Sequence, residues 1–126
     1  MKNLEKTIIV DFDGTICEDL PVMSLTKIGP PQPQVKEALK RLKDLGYFIR
    51  IHSCRTATYW KERSREKQIQ LIRKFLGKHE IPYDDIIIDI HMDKPLAKYY
   101  IDNKGIQYNN NWMEIVKQIE NLEKKK

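Results

Sequence analysis

A chain of 126 residues is long enough for one compact domain and too short for two ordinary ones. Its 40% hydrophobic and 33% charged residues exclude a disordered polar chain, and no apolar run is long enough to span a bilayer. The formal net charge of +5 indicates solubility or weak attraction to polyanions. Two cysteines and a start without an apolar leader favour one cytoplasmic domain over residues 1–126.

Strand and helix patterns alternate along the chain. Such an order predicts a mainly parallel sheet with helices on both faces, so we expect a Rossmann-like three-layer α/β sandwich. The expected elements are a strand at 7–10, a proline-rich loop at 16–34, a helix from 35 that Gly46 caps, a strand at 47–51, a helix at 58–76 ended by Gly77, strands at 86–88 and 98–101, and a helix from Asn111.

The last predicted helix carries both a start signal and an apolar stripe. Asn111 and Glu114 stand at capping-box spacing. Five apolar residues recur at helical spacing and predict a buried face. They are Trp112, Ile115, Val116, Ile119 and Leu122.

Polar side chains follow three of the predicted strands. Asp11 and Asp13 come after the first strand, Ser53 after the second and Asp102 after the fourth. Ligands of parallel sheets bind beyond the carboxyl ends of the strands, so we expect these side chains to share one site.

The two aspartates after the first strand are costly unless a cation offsets their charge. Asp11 and Asp13 flank a single aromatic residue, so their carboxylates repel each other and lose hydration. A hard divalent cation bound by oxygen atoms would relieve that repulsion. Gly14 permits a sharp turn that brings backbone N–H groups close to a ligand, and the Thr15 hydroxyl can fix the turn. The pattern therefore predicts a site for a hard divalent cation, and the alternative is a pair of loop aspartates that cap turns.

The sequence Asp11-Phe12-Asp13-Gly14-Thr15 resembles the first motif of the haloacid dehalogenase-like (HAD) superfamily at every position. The resemblance implies a hydroxyl residue after the second strand, a lysine before the last motif, and an acidic pair after a short strand. Ser53, Lys94 and Asp102 stand at those places. Asn103 departs from the pattern, because many members carry a second aspartate there.

The resemblance implies a Mg²⁺-dependent phosphomonoester hydrolase. In the implied mechanism Asp11 attacks phosphorus and forms an aspartyl phosphate, while Asp13 protonates the leaving oxygen and then activates water. Asp11, Asp13 through its backbone carbonyl, and Asp102 would hold the metal. Ser53 and Lys94 complete the implied catalytic set by contacting the phosphoryl group. The expected substrate-binding residues are Gly14, Thr15, Ser53, Arg55 and Lys94.

Several other residues have a less specific interpretation. Arg55 either holds a second anionic group of the substrate or lies on the surface. Alternation along the strand directs His52 away from Ser53, so we expect a structural role for His52. Cys17 and Cys54 are expected to be packing residues.

The intervals between the motifs leave no room for a cap domain. The resemblance is thus to capless members, whose sites are open or completed by a partner subunit, and a homo-oligomer stays an open alternative. The phosphorylated substrate is a small metabolite or a macromolecule such as a nucleic-acid end, and no membrane is involved. Two rival functions are a non-catalytic HAD-fold interaction protein and a receiver-like domain phosphorylated on Asp89.

Overall fold

One four-stranded parallel sheet organises the protein. The computed structural model describes residues 4–20, 26–56, 62–88 and 94–125. In space the strands lie in the order β3-β2-β1-β4, and every neighbouring pair runs parallel. The strands are β1 (Thr7–Asp11), β2 (Phe48–His52), β3 (Asp85–Ile86) and β4 (Tyr99–Ile101).

Within the described residues, three α-helices join or follow these strands. α1 connects β1 to β2, α2 connects β2 to β3, and α3 follows β4. The parallel sheet and the alternating order confirm the predicted Rossmann-like α/β fold. The helices are α1 (Val35–Asp44), α2 (Glu62–Lys78) and α3 (Trp112–Lys124).

The main core lies between one face of the sheet and the first two helices. Ile8 pairs with Ile49 in register and Val10 with Ile51, so these side chains point to the same face. Both connections step from β1 toward β3, and right-handed crossovers place both helices on this face. The cluster includes Leu39 of α1 together with Ile72, Phe75 and Leu76 of α2.

Gly46 ends α1 as predicted. It follows the helix at a φ of 94°, and its N–H donates to the carbonyl of Lys43 at 2.9 Å. Tyr47 N–H donates to the carbonyl of Leu42 at 3.1 Å. These bonds satisfy carbonyl groups at the end of the helix and lead the chain directly into β2.

Two element boundaries were wrong in the sequence-based prediction. α2 continues through Gly77 to Lys78, and the chain turns at Glu80, whose φ is 54°. The short strand β3 (Asp85–Ile86) shares only Ile86 with the predicted strand at 86–88, and Ile88 is exposed. Residues 57–61, where the second helix was expected to begin, lie outside the described residues.

α3 departs from its predicted packing. Ile115 is buried, but the other four residues of the expected buried face are exposed, from 42% for Val116 to 66% for Trp112. The predicted capping box is also wrong. Asn111 makes no side-chain cap, and its Oδ1 accepts the N–H of Asn109 at 2.7 Å. The apolar stripe predicts the helix, but it does not predict what the helix packs against.

Of the helices in the described ranges, none combines the length and the apolar character needed to cross a bilayer.

Candidate functional site at the carboxyl ends of β1 and β2

A tight turn follows β1 and shapes the site. The carbonyl of Phe12 accepts the N–H groups of Thr15, Ile16 and Cys17 at 2.9–3.3 Å, and the Phe12 side chain is fully buried. Gly14 has a φ of 85°, a conformation that L-residues with a side chain rarely adopt. The buried Phe12 side chain therefore anchors the turn to the core. The carboxylates of Asp11 and Asp13, on either side of Phe12, lie at the end of β1.

Asp11 lies at the end of β1, between His52 of β2 and the residue that follows β4. Its register partner is His52, and because Val10 pairs with Ile101, Asp102 follows β4 beside Asp11. The hydroxyl of Thr15 donates to Asp11 Oδ2 at 3.3 Å. The structure thus brings together Asp11, Thr15 and Asp102, three of the residues predicted for the site.

The environment of Asp11 opposes its negative charge. Burial and the nearby charge of Asp102 raise the pKa of Asp11 from 3.8 to about 6, against the hydrogen bonds from Thr15 and the Phe12 backbone. Among the described residues, Asp11 has no ion-pair partner. A carboxylate held this way binds a cation readily, because a cation removes the repulsion from its neighbour.

The donors fit a magnesium ion with few protein ligands. Within the described residues, no three acidic, histidine or cysteine side chains form a ready metal cluster. The side chains available are those of Asp11 and Asp102, and the backbone carbonyl of Asp13 is a further oxygen donor. Mg²⁺ commonly takes only one or two carboxylates and keeps several waters, so this donor set suits it.

Asp13 stands in the opposite electrostatic environment. Its Oδ2 accepts Arg55 Nε at 2.8 Å, and its Oδ1 accepts Arg55 Nη2 at 3.0 Å. This is a bidentate pair, the geometry that fixes a carboxylate most firmly. The metal assignment of Asp13 therefore rests on its backbone carbonyl, because Arg55 holds its carboxylate.

Arg55 is one of the most buried side chains in the protein, with 0% of its surface exposed. Besides Asp13, it donates through Nη1 to Gln68 Oε1 at 3.0 Å and through Nη2 to the carbonyl of Lys27 at 3.0 Å. The sequence left Arg55 between a substrate contact and a surface position, and the surface position is wrong. Its guanidinium group is occupied by the protein itself.

Ser53 supports the short 3₁₀ turn Cys54–Thr56 that carries Arg55. Its Oγ accepts the N–H of Arg55 at 3.1 Å, and its carbonyl accepts the Thr56 hydroxyl at 3.1 Å. Ser53 is 4% exposed. The bond to Arg55 uses a lone pair of the hydroxyl oxygen and leaves the O–H able to donate. Ser53 thus caps the turn and still has a donor for a phosphoryl oxygen.

Lys94 lies over an aromatic ring. Its Nζ is 4.7 Å from the centroid of the Tyr100 ring, and the Tyr100 hydroxyl donates to the carbonyl of Pro95. Within the part of the chain that the structure describes, Lys94 forms no ion pair with Asp11 or Asp102. Tyr100 is the register partner of Ile9, on the strand that leads to Asp102. The structure therefore places Lys94 against Tyr100 through a cation–π contact and does not bring it into contact with the two carboxylates.

Asn103 closes the side of the site next to Gly14. Its Nδ2 donates to Asp19 Oδ2 at 3.3 Å. A Cβ at Gly14 would collide with the amide of Asn103 and would lie 2.8 Å from Asp19 Oδ2. This close approach, together with the positive φ, explains why glycine stands at this position.

His52 has a more specific position than the sequence indicated. It is exposed and faces away from the buried Ser53, as alternation predicted, and it is the in-register neighbour of Asp11. Partial burial lowers the pKa of His52, and the Asp102 carboxylate opposes that shift. The strand register could have predicted this position of His52, because a residue paired with Asp11 has its side chain on the same face of the sheet as Asp11.

The two cysteines differ in burial. Cys17 is fully buried in the core, which confirms its predicted packing role, and burial raises the pKa of its thiol to about 12. Cys54 is exposed, so its predicted packing role is wrong. Partial burial and the Asp13 and Asp11 carboxylates raise the pKa of the Cys54 thiol, which keeps it a weak nucleophile. The alternative phospho-acceptor, Asp89, lies outside the described residues.

Comparison with known proteins informs the fold. No family model matches the chain, and no curated protein sequence matches it. A solved structure that does match is described as the conserved protein coded by a locus from Bacteroides thetaiotaomicron. It has a TM-score of 0.53 and 22% identity, over 93% of this chain and 91% of that chain. At this level of identity the match shows the α/β fold alone.

Proposed function

We propose that the protein is a cytoplasmic, Mg²⁺-dependent phosphomonoester hydrolase of the HAD-like type, with Asp11 as its covalent nucleophile. The observation that carries the proposal is the contrast between two neighbouring carboxylates. Asp11 faces the like charge of Asp102, and Arg55 holds Asp13 in a fixed orientation. Covalent phosphoryl transfer needs both a nucleophile beside a cation site and a separate carboxylate for proton transfer.

The proposed reaction has two steps. In the first, Asp11 Oδ attacks phosphorus, the bond from phosphorus to the leaving oxygen breaks, and Asp13 gives that oxygen a proton. In the second, a water molecule gives its proton to Asp13, its oxygen attacks phosphorus, and the bond between Asp11 and phosphorus breaks to release inorganic phosphate. The first step leaves Asp13 as the carboxylate that the second step needs, and the second step returns the proton that the first step uses.

The surrounding residues orient the substrate. The Gly14–Thr15 turn offers backbone N–H groups to phosphoryl oxygens, and the Ser53 hydroxyl offers a further donor. Lys94, which lies over the Tyr100 ring, would supply positive charge to the phosphate once a substrate is bound. When bound between Asp11 and Asp102, Mg²⁺ offsets the negative charge of the nucleophile and the phosphate.

The proposed substrate is a phosphate on a larger molecule, such as a nucleic-acid end. Asp102 and Asn103 are exposed, and the net charge is +5, so a large anionic substrate gains surface contacts that a small one lacks. Raising salt should then lower kcat/KM for a terminally phosphorylated oligonucleotide far more than for a sugar phosphate. A preference for the sugar phosphate, unaffected by salt, would indicate a metabolite phosphatase instead.

The test of the activity itself is turnover of p-nitrophenyl phosphate and a panel of monoesters with Mg²⁺. We expect turnover that Asp11→Asn reduces by at least about a thousandfold, because no covalent intermediate can form. Asp44→Asn, an exposed aspartate on α1, is the matched control and should keep the wild-type rate. No turnover by the wild type, or more than about a tenth of the rate in Asp11→Asn, would reject the proposal.

A further inference from the structure

The buried ion pair between Arg55 and Asp13 is held by more hydrogen bonds than a residue that only fills space in the core would need. The Arg55 side chain is 1% exposed and that of Asp13 is 16% exposed, so the carboxylate reaches the site while the guanidinium group stays inside. A buried charge is retained only when its partners are well placed, because desolvation is costly. Here the partners are the Asp13 carboxylate, the Gln68 amide oxygen and the Lys27 carbonyl.

These partners come from distant parts of the chain. Asp13 follows β1, Lys27 belongs to the loop before α1, and Gln68 lies on α2. Gln68 is 2% exposed and orients Nη1, while Ser53 Oγ fixes the Arg55 backbone through its N–H. The guanidinium group therefore has one orientation, and it imposes one orientation on Asp13 through two parallel bonds.

From this geometry we infer that Arg55 is the positioning residue for Asp13, and that it aligns the Asp13 carboxylate to accept the proton of the water that hydrolyses the aspartyl phosphate. The inference rests on the proposed function. The two bonds from Arg55 fix the direction of the Asp13 oxygens that accept this proton, whereas a good leaving group such as p-nitrophenolate departs with little need of a proton. Loss of Arg55 should therefore slow the second step more than the first, and the phosphorylated enzyme should accumulate.

The experiment measures both steps in a stopped-flow assay with p-nitrophenyl phosphate. Release of p-nitrophenolate reports the first step, and steady turnover reports the second when hydrolysis is slow. Arg55→Gln should lower kcat by about a hundredfold, and it should show a burst of p-nitrophenolate close to one per enzyme molecule. KM should fall along with kcat, because the phosphorylated enzyme accumulates.

The matched control is Arg50→Gln, which removes an arginine of β2 that is also paired with an aspartate. Arg50 Nε lies 2.9 Å from Asp85 Oδ1, and both side chains are about one-third exposed. This variant should keep kcat within about twofold and show no new burst. Millimolar guanidinium should partly restore turnover in Arg55→Ala, because the vacated pocket keeps its carboxylate and carbonyl oxygens.

Milder variants keep the inference falsifiable if Arg55→Gln does not fold. Arg55→Lys retains the charge without the bidentate geometry, and Gln68→Met removes one hydrogen bond to Arg55 at similar size. Each should lose about three- to tenfold in kcat with a partial burst. Folded variants that lose rate without a burst, or that keep the wild-type rate, would overturn the role of Arg55. A wild type without turnover or phosphorylated enzyme would instead reject the proposed function.

Discussion

Asp11 and Asp13 stand two residues apart in the sequence, and their surroundings are opposite. Asp13 is held by a buried arginine, whereas Asp11 faces Asp102 and has its pKa raised to about 6. A fold maintains such an unfavourable carboxylate only when the rest of the structure over-determines it, and strained groups of this kind concentrate at functional sites. The contrast supports different tasks for the two aspartates in the proposed reaction, and changing either aspartate or its partner tests it.

The largest effect on stability is expected from removing the charge of Asp13, the aspartate that is paired with Arg55. Asp13→Asn leaves the Arg55 guanidinium group buried without its counter-charge, so we expect a loss of about 3 kcal/mol in the free energy of unfolding. Urea unfolding at pH 7 measures this loss. Asp85→Asn is the matched control, because its pair with Arg50 is partly exposed and its loss should be below about 1 kcal/mol. Equal losses in the two variants would contradict the claim that the buried pair contributes more to stability than the partly exposed one.

Binding of Mg²⁺ beside Asp11, the aspartate that lacks a counter-charge, should stabilise the folded protein. At free Mg²⁺ about a hundred times its Kd, linkage predicts a gain of about 2.7 kcal/mol in the wild type. The gain should be much smaller in Asp102→Asn, which lacks one of the two carboxylates, and unchanged in Asp44→Asn. The measurement is the free energy of unfolding with and without Mg²⁺. An undiminished gain in Asp102→Asn would remove that residue from the metal site.

The raised pKa of Asp11 has a defined effect on stability. Between pH 4 and pH 6 the folded protein keeps a proton on Asp11 that the unfolded chain releases, so the free energy of unfolding falls as pH rises through this interval. Without metal, Asp11→Asn should therefore be more stable than the wild type at pH 8, by about 1–2 kcal/mol after solvent screening. The two proteins should converge near pH 4. A wild type more stable than the variant at pH 8 in EDTA would contradict the unfavourable placement of Asp11.

The smallest effect concerns Asn103. Its amide donates to Asp19, so Asn103→Asp replaces a hydrogen bond with a carboxylate pair at the edge of the site. We expect the Kd for Mg²⁺ to change by less than about tenfold, because Asn103 is beside the two carboxylates rather than between them. A calorimetric titration measures this change. Tightening by tenfold or more would mean that asparagine at this position compromises the metal site.

Much of this site was predictable because strand ends are predictable. β-branched runs locate β1 and β2, and parallel pairing brings their carboxyl ends to one edge of the sheet. Asp11, Thr15 and Asp102 therefore meet as the sequence indicated. The pairing of Arg55 with Asp13 was not predictable, because it joins residues 42 positions apart through a 3₁₀ turn and a bidentate geometry. A sequence pattern carries no information on such side-chain directions.

The C-terminal helix α3 also shows what hydrophobic periodicity cannot predict. The stripe on α3 gave the helix its location, and the structure leaves most of that stripe exposed. Amphipathicity records that one face is apolar, but whether another part of the chain covers it depends on the path of the chain in space. The end of α2 and the bounds of β3 were predicted wrongly for a related reason, since propensity changes little from one residue to the next at an element boundary.

The most direct test of the account is to locate the phosphoryl group on the protein. The wild type and Arg55→Gln are mixed with a phosphomonoester and Mg²⁺, quenched in the steady state, reduced with borohydride and mapped by mass spectrometry. Borohydride converts an aspartyl phosphate to homoserine, which marks the nucleophile. We expect homoserine at position 11, with more of it in Arg55→Gln. Modification of Asp13 or Asp89 instead, or turnover without any modified residue, would contradict Asp11 as the nucleophile.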